Sequence, residues 1–232
     1  MSRPPLRAEL LEARNNPAFG LDPAFGAGGV VLTAPQTGVG DEVVVQADGD
    51  ILVLGAAWDH TDTTDSTAAR WLELRRLNPD GTPDTTFGVA GRVAFGHGLS
   101  DLFPSDLGLA VGPGGRAYVA ASVGTYDAAD AVVFRFNPDG TPDTTFGAGG
   151  AVAFDFPGGA ASTVAGLAVL PDDRAVVTGD TSTPPTPGFS VARLTAAGAP
   201  DPTFGGGGFV RREFDPAYAG GSTAARDVVA GA

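Results

Sequence analysis

Short runs of apolar and β-branched residues alternate with glycine-rich turns along most of the chain. Glu42–Gln46 and Ile51–Leu54 are two such runs, and the segment Ala47–Asp50 joins them through an Asp-Gly step. Asp-Gly between two β-rich runs is a strong short-range signal for a hairpin. Two further pairs of runs follow, Leu107–Val111 with Ala117–Ala121 and Ala165–Leu170 with Ala175–Thr178, joined by turns at Gly112–Gly115 and Pro171–Arg174. The sequence therefore predicts three antiparallel hairpins.

A third and a fourth strand are predicted after each hairpin. In the first copy they are Ala69–Leu77 and Gly91–Phe95, with a polar turn between them. The later copies give Ala131–Phe136 with Ala151–Phe154, and Phe189–Leu194 with Phe209–Phe214. Gly29–Thr33 reads as one more strand before the first hairpin. Each unit of about 60 residues thus carries four short strands and no helix.

The turn between the third and fourth strands is nearly the same sequence in each unit. Asn78–Gly91 and Asn137–Gly150 differ at two positions, Thr195–Gly208 is a more divergent copy, and Leu21–Gly29 contains the second half of one. The phenylalanines of these copies, separated by 62, 59 and 58 residues, are Phe25, Phe87, Phe146 and Phe204. A fixed period of this size indicates a repeat architecture.

The repeats predict an all-β fold, a β-propeller or an open propeller arc of four-stranded antiparallel blades. A β-helix needs shorter rungs, and a sandwich would not need near-identical turns at every fourth strand. We assign residues 1–16 to an N-terminal leader or flexible segment and 17–232 to the repeat domain. The units are roughly 39–98, 99–157 and 158–215, with a partial unit at 216–232. This gives about three full blades plus terminal half-blades.

This count does not close a ring, because propellers usually have 4–8 blades. One hypothesis is that the chain is an N-terminal fragment of a longer propeller, since it stops inside a repeat. The other is a small propeller or arc completed by self-association. We favour the first.

The repeated turn has a structural explanation. Proline presets φ in the Asn-Pro-Asp-Gly turn, and its glycine supplies the unusual φ that closes it. The aspartates at Asp84 and Asp143, with Asp22 and Asp201 in the divergent copies, are expected to cap backbone amides two residues further on. The large apolar residue of each turn is expected to be a buried wedge between units. The structural repeat residues are Phe25, Phe87, Phe146, Phe204, Gly88, Gly91, Gly147 and Gly150.

The segment Leu77–Gly88, its second copy from Phe136 and the valine-rich hairpins such as Val43–Gly55 resemble the delta-60 repeat family of bacterial propeller-like proteins. The resemblance covers the chain from about Leu21 onward. It implies a β-propeller found in large exported or surface proteins, and thus an extracellular or cell-surface location in a bacterium. The third copy departs from the pattern, with Thr195-Ala-Ala-Gly198 in place of Asn-Pro-Asp-Gly.

The charge balance argues against two classes of binding partner. The formal net charge is −13, from 14 Lys and Arg against 27 Asp and Glu. Because nucleic acids and anionic membranes need a basic face, neither is an expected partner. There is no cysteine, which excludes disulfides, thiol catalysis and cysteine-based zinc sites. No run of 18 apolar residues is present, so no membrane span is predicted.

Two turns have the Asn-x-Asp-Gly-x-x-Asp appearance of a calcium loop. The candidate ligands are Asn78, Asp80, Asp84, Asn137, Asp139 and Asp143. Calcium takes six to eight oxygens, and no glutamate follows to close either site. Turn capping explains the pattern more economically, because the third copy lacks two of the three ligands. We therefore predict no cofactor, with calcium as the alternative.

No catalytic residues are predicted. His60 and His97 lie in loops with aspartates nearby, but no serine stands in a nucleophile elbow. The aromatic residues that could reach a propeller face are Trp58, Trp71, Tyr118 and Tyr126. Trp71 lies within a strand and is expected in the core, whereas Trp58 ends a strand and is the one to test for binding.

The start of the chain differs from the repeats. Leu11, Glu12, Ala13 and Arg14 match the short Leu-Glu-x-Arg type of leader, and a frayed terminal segment is the alternative. We interpret the whole as a non-enzymatic, exported or surface scaffold that binds a protein or polysaccharide partner. The alternative is a propeller that binds or acts on glycans.

Overall fold

The computed structural model describes residues 20–32, 38–58, 70–96, 102–125, 128–158, 161–181, 188–213 and Val228. These residues contain twelve β-strands and no α-helix, with one 3₁₀ turn at Pro113–Gly115. The all-β prediction is confirmed. The strands are β1 Gly38–Val45, β2 Ile51–Trp58, β3 Arg70–Leu77, β4 Arg92–Phe95, β5 Leu102–Val111, β6 Ala117–Thr125, β7 Ala128–Phe136, β8 Ala151–Phe154, β9 Ser162–Val169, β10 Ala175–Thr181, β11 Gly188–Leu194 and β12 Phe209–Glu213.

Three four-stranded sheets follow one another along the chain. Their strand orders are β1-β2-β3-β4, β5-β6-β7-β8 and β9-β10-β11-β12, with every neighbouring pair antiparallel. Each sheet is a simple meander because every connection joins strands that are adjacent in sequence. We call the three sheets blade 1, blade 2 and blade 3.

The blades stack face to face around their first strands. Strand β5 contacts both β1 and β9, which places these three strands on the inner side of the stack. One apolar core lies between blades 1 and 2, around Leu54, Leu74 and Val119. A second lies between blades 2 and 3, around Val133, Val177 and Leu194. The described sheets form an open arc rather than a closed ring.

The strand predicted at 29–33 is wrong over its described part. Val30 makes an isolated bridge with Gly26, and residues 31 and 32 belong to no strand. In each of the three blades the fourth strand pairs with the third strand. The residues at the position of a third strand before Leu21 lie outside the described part of the chain. The leader assigned to 1–16 and most of the partial unit 216–232 also lie outside it. No helix among the described residues has the length and apolar character needed to cross a bilayer.

Candidate functional site

The recurring residues meet where neighbouring blades join. We call the segments Asn78–Gly91, Asn137–Gly150 and Thr195–Gly208 the repeat loops of blades 1, 2 and 3. A joint is the contact between successive repeat loops together with the side chains around it.

At each joint a phenylalanine packs against a glycine of the next loop. A Cβ atom on Gly140 would lie 3.2 Å from the ring of Phe87, and one on Gly198 would lie 3.2 Å from Phe146. Because both glycines also have φ above +80°, a side chain there would be crowded and strained. The glycine of each turn therefore leaves room for the phenylalanine of the preceding blade.

A backbone hydrogen bond accompanies each ring. The amide of Gly88 donates to the carbonyl oxygen of Asp139 at 2.8 Å, and that of Gly147 donates to Ala197 at 2.9 Å. The partial loop before blade 1 does the same, since Gly26 donates to Asp80 at 2.7 Å. A fixed backbone bond sets the spacing of successive loops, whatever side chains surround it.

Burial of the four phenylalanines differs. Phe87 and Phe146 are 1% and 0% exposed, whereas Phe25 and Phe204 are half-buried. The expected buried wedge is thus seen in full at the two joints between complete blades. The four predicted glycines, Gly88, Gly91, Gly147 and Gly150, all lie at positive φ.

Sequence reasoning missed an arginine at the centre of each joint. Arg76, Arg135 and Arg193 each lie 4.6–4.8 Å from the phenylalanine ring of their own loop, over its face. Each also pairs with the loop aspartate: the Nε–Oδ2 distances are 2.6 Å to Asp84, 2.9 Å to Asp143 and 2.8 Å to Asp201. The signal was present, because an arginine stands eight residues before the aspartate in every copy.

Two of these arginines also reach the next blade. Nη1 of Arg76 donates to the carbonyl of Pro138 at 2.5 Å, and Nη1 of Arg135 donates to that of Ala196 at 2.5 Å. A planar guanidinium can pair with an aspartate, lie over the face of an aromatic ring and donate a hydrogen bond to a carbonyl oxygen at the same time. One side chain therefore links the two loops.

The loop aspartates are held ionised. Burial raises the pKa of the Asp84 carboxyl, but hydrogen bonds from Thr86 and Arg76 outweigh it and lower the pKa below its usual value. Asp143 has the same balance, with Thr145 and Arg135 as donors. An acid with a lowered pKa in the folded state contributes stability above the unfolded pKa, near 3.8, and loses it as the pH falls.

The calcium candidates fall into two separate environments. Asp84 and Asp143 are buried and paired with arginine, so a cation already neutralises them. Asp80 lies exposed, and its Oδ1 accepts hydrogen bonds from the amide and hydroxyl of Thr82 at 2.9 and 2.6 Å. Asp139 does the same with Thr141, and the side-chain amides of Asn78 and Asn137 donate to these threonine hydroxyls. In each turn, one aspartate thus pairs with an arginine and the other bonds to a threonine.

The joint between blades 2 and 3 carries an additional polar network. The hydroxyl of Tyr118 donates to Oδ1 of Asp173 at 2.9 Å, and Arg116 pairs with Oδ2 of Asp173 at 2.8 Å. Arg135 donates to the same hydroxyl at 3.2 Å. Burial is the main reason that the pKa of Tyr118 rises to about 12. Asp173 extends this network across the joint from blade 3.

The aromatic and histidine candidates have different outcomes. Tyr118 is fully buried rather than at a propeller face, and Trp71 is half-buried. His60, His97, Tyr126 and the side chain of Trp58 lie outside the described residues. Within the described ranges, no three His, Asp or Glu side chains come close enough to hold a metal ion.

Three segments of the chain match one family model. Residues 46–87, 115–146 and 170–204 match the "Domain of unknown function (DUF5122) beta-propeller", one segment for each blade and its repeat loop. These three segments are thus similar to a β-propeller domain of unknown function. The delta-60 resemblance is consistent with this propeller family, although the match does not establish that name. No curated protein matches the chain.

The propeller joints show what the recurring residues do. Each of the three complete copies places an arginine, an aspartate, a threonine and a phenylalanine in contact, and at the two joints between complete blades these contacts fix one blade on the next. The arrangement neutralises its own charges and surrounds its aromatic rings. Its chemistry is that of a structural joint.

Proposed function

We propose that this propeller domain is a non-enzymatic scaffold, exported or held at the cell surface, that serves structure and interaction. The observation that carries the proposal is the use of the recurring charged residues within the joints. In a propeller enzyme, acids or histidines from different blades would be expected to converge on one face. Here the recurring buried acids, Asp84, Asp143 and Asp201, pair with arginines of their own blade.

One sheet face supports an interaction role. Val43 and Val45 on β1 are 64% and 65% exposed. Counted from the hairpin turn, their counterparts on β5 are Leu109 and Val111, which pack against the core between blades 1 and 2. These positions are therefore exposed to solvent on blade 1, whereas the equivalent positions on blade 2 are packed in the core.

The outer part of the same face is charged. Arg75 occupies the position of Phe134 in blade 2, and it pairs with Glu73, which also pairs with Arg92 at 3.4 Å. A face with an apolar inner half and a charged outer half fits a second copy of this chain, because the same repeat supplies apolar blade faces and acidic loops. We include self-association in the proposal on this ground.

Sedimentation velocity of the full chain over a hundredfold concentration range tests the assembly. The wild type should form a dimer or larger species, and the double variant Val43→Glu with Val45→Glu should stay monomeric with an unchanged circular dichroism spectrum. Val89→Glu, at a residue 81% exposed in the repeat loop of blade 1, is the matched control and should associate like the wild type. A wild type that stays monomeric throughout would refute self-association.

A turnover assay tests the non-enzymatic part. The full chain, incubated with a panel of plant, fungal and bacterial polysaccharides, should release no reducing sugar above a heat-denatured control. Reproducible release by the folded chain would instead support the glycan-active alternative.

A further inference from the structure

Blade 3 carries the first half of a joint at the end of the described stack. Phe204 is half-buried, whereas the equivalent rings Phe87 and Phe146 are fully buried against the turn of the next blade. Arg193 lies over the Phe204 ring at 4.6 Å, as the equivalent arginines lie over their own rings. We call Arg193, Phe204 and Gly205 the open half-joint, since among the described residues no further sheet follows blade 3.

Two hydrogen-bond donors of the open half-joint lack the acceptors that their equivalents have. Arg193 uses Nε for Asp201 and Nη2 for Thr203, at 2.8 and 2.9 Å. Within the described ranges, no oxygen accepts a hydrogen bond from its Nη1 or from the amide of Gly205. In blades 1 and 2 the equivalent donors both bond to the turn that follows. Blade 3 therefore presents two donors beside a partly exposed aromatic ring.

The complete joints show what such a pair of donors binds. Between blades 1 and 2 the acceptors are successive carbonyl oxygens of one turn, those of Pro138 and Asp139. Between blades 2 and 3 they are those of Ala196 and Ala197. In both turns the next residue is the glycine that meets the phenylalanine ring. Because the acceptor residues differ while their backbone contacts agree, the turn is recognised through its peptide groups and its glycine.

The other turns of the chain do not fit the open half-joint. The turn of blade 1 accepts a hydrogen bond from Gly26, and those of blades 2 and 3 accept from Gly88 and Gly147. One more turn sequence precedes blade 1, Asn16-Pro-Ala-Phe19, and it has phenylalanine where the other copies have glycine three residues before the loop aspartate. A side chain at this place would be crowded against the ring. A second copy of the chain offers the same turns, so the occupant is a different repeat.

We propose that the open half-joint is a docking site for a further propeller repeat, one that does not belong to residues 1–232 and whose turn is of the Asn-Pro-Asp-Gly type. The turn places its second and third carbonyl oxygens on Arg193 and Gly205, and its glycine against Phe204. This inference goes beyond the scaffold proposal by naming a partner and its contacts. It is independent of self-association, which concerns the face of blade 1.

The test is a titration of the isotope-labelled full chain with a cyclic peptide that contains the turn of blade 2, from Phe136 to Pro142. These two residues already form an antiparallel bridge, so cyclisation preserves the turn. The amide of Gly205 should shift in NMR spectra with a dissociation constant of ~1–10 mM, since two hydrogen bonds and one ring contact gain little more. Gly147 is the internal control, because its amide is already bonded within a complete joint and should not shift.

A matched peptide with alanine in place of Gly140 should bind ~10-fold or more weakly, because its Cβ would be crowded against the ring and strained at positive φ. In the chain, Arg193→Lys should weaken binding of the glycine peptide by ~5-fold or more, since an ammonium group lacks the fork that reaches aspartate, threonine and peptide together. Arg212→Lys, at an exposed arginine of β12, is the matched control and should bind like the wild type.

Four outcomes would each overturn the proposal. They are no shift of Gly205, an equal shift of Gly147, equal binding of the alanine peptide, and unchanged affinity in a folded Arg193→Lys variant. The two peptides are compared on the wild-type chain, so this part of the test does not depend on the folding of any variant.

Discussion

The two joints between complete blades share one framework but differ in what fills it. In both, a buried phenylalanine meets a turn glycine and an arginine pairs with the loop aspartate. The joint between blades 1 and 2 has Leu52 and Gly115 where the joint between blades 2 and 3 has Tyr118 and Asp173. The first pair makes no polar bridge, whereas the second is bridged by a tyrosine–carboxylate hydrogen bond.

This difference separates what the joint requires from what it tolerates. Gly49, Gly115 and Asp173 occupy the same hairpin position, and all three have positive φ, at 93°, 79° and 68°. Aspartate tolerates this region better than most residues with a side chain. Blade 3 therefore accepts a strained backbone at Asp173, and its carboxylate gains Tyr118 and Arg116 of blade 2 as partners.

Changes to the residues that both joints share should have the largest effect on the free energy of unfolding. Phe87→Ala and Phe146→Ala should each lower the free energy of unfolding by ~3–5 kcal/mol, because each removes a fully buried ring. Chemical denaturation followed by fluorescence measures both. Phe204→Ala is the matched control, and its loss should be smaller because that ring is half-buried. Similar small losses at all three positions would show that the wedge does not carry the joint.

Changes to the polar network of the joint between blades 2 and 3 should have the next largest effect on the free energy of unfolding. Asp173→Ala should cost ~1–3 kcal/mol, because it removes the shorter of the two hydrogen bonds that the buried Tyr118 hydroxyl donates to Asp173 and keeps a positive φ. Asp173→Gly removes the same carboxylate but suits the backbone, as Gly115 does in the first joint, so its cost should be smaller. An equal loss in the two variants, measured by thermal denaturation, would contradict a strained backbone at this position.

Tyr118→Phe should have a smaller effect, ~1 kcal/mol, because it removes the hydroxyl that bonds to Asp173 and Arg135 but leaves the strained backbone of residue 173 occupied by aspartate and keeps the ring packed on Phe146. Combined with Asp173→Gly, it should cost less than the sum of the two single changes, since both break the same bond. A double-mutant cycle measures this coupling. Strict additivity would show that the hydroxyl and the carboxylate act independently.

The smallest expected effect lies at the turn of blade 1. Asp50 stands where blades 2 and 3 have Arg116 and Arg174, and burial, together with Asp48, raises its pKa. An acid with a raised pKa in the folded state lowers stability once it ionises, so Asp50→Asn should stabilise the chain by less than ~1 kcal/mol at pH 7.

This gain at Asp50 should shrink as the pH falls through the raised folded-state pKa toward 3.8 and be lost below it, where the wild-type carboxyl is protonated in both states. Denaturation of both proteins at pH 7 and pH 3 measures the difference. Asp48→Asn provides the comparison for removal of an exposed charge in the same turn. A gain that is equal at both pH values would exclude a titration effect.

The sequence alone determined the class of fold and the units of the repeat. Alternating apolar runs, Asp-Gly turns and a fixed spacing of phenylalanines predict four-stranded blades, because strand period and turn chemistry are local properties. The same spacing located the wedge residues Phe87 and Phe146 before any contact was known. It also contained the arginine eight residues before each aspartate, a regularity that sequence analysis overlooked.

The tertiary structure decided which of the repeated residues meet, and across which joint. The pairing of Arg135 with Ala196 and the bridge from Asp173 to Tyr118 join residues that lie about 60 residues apart. Such contacts depend on how one blade is rotated and spaced against the next. That geometry results from the packing of whole sheets, so no local pattern in the chain encodes it.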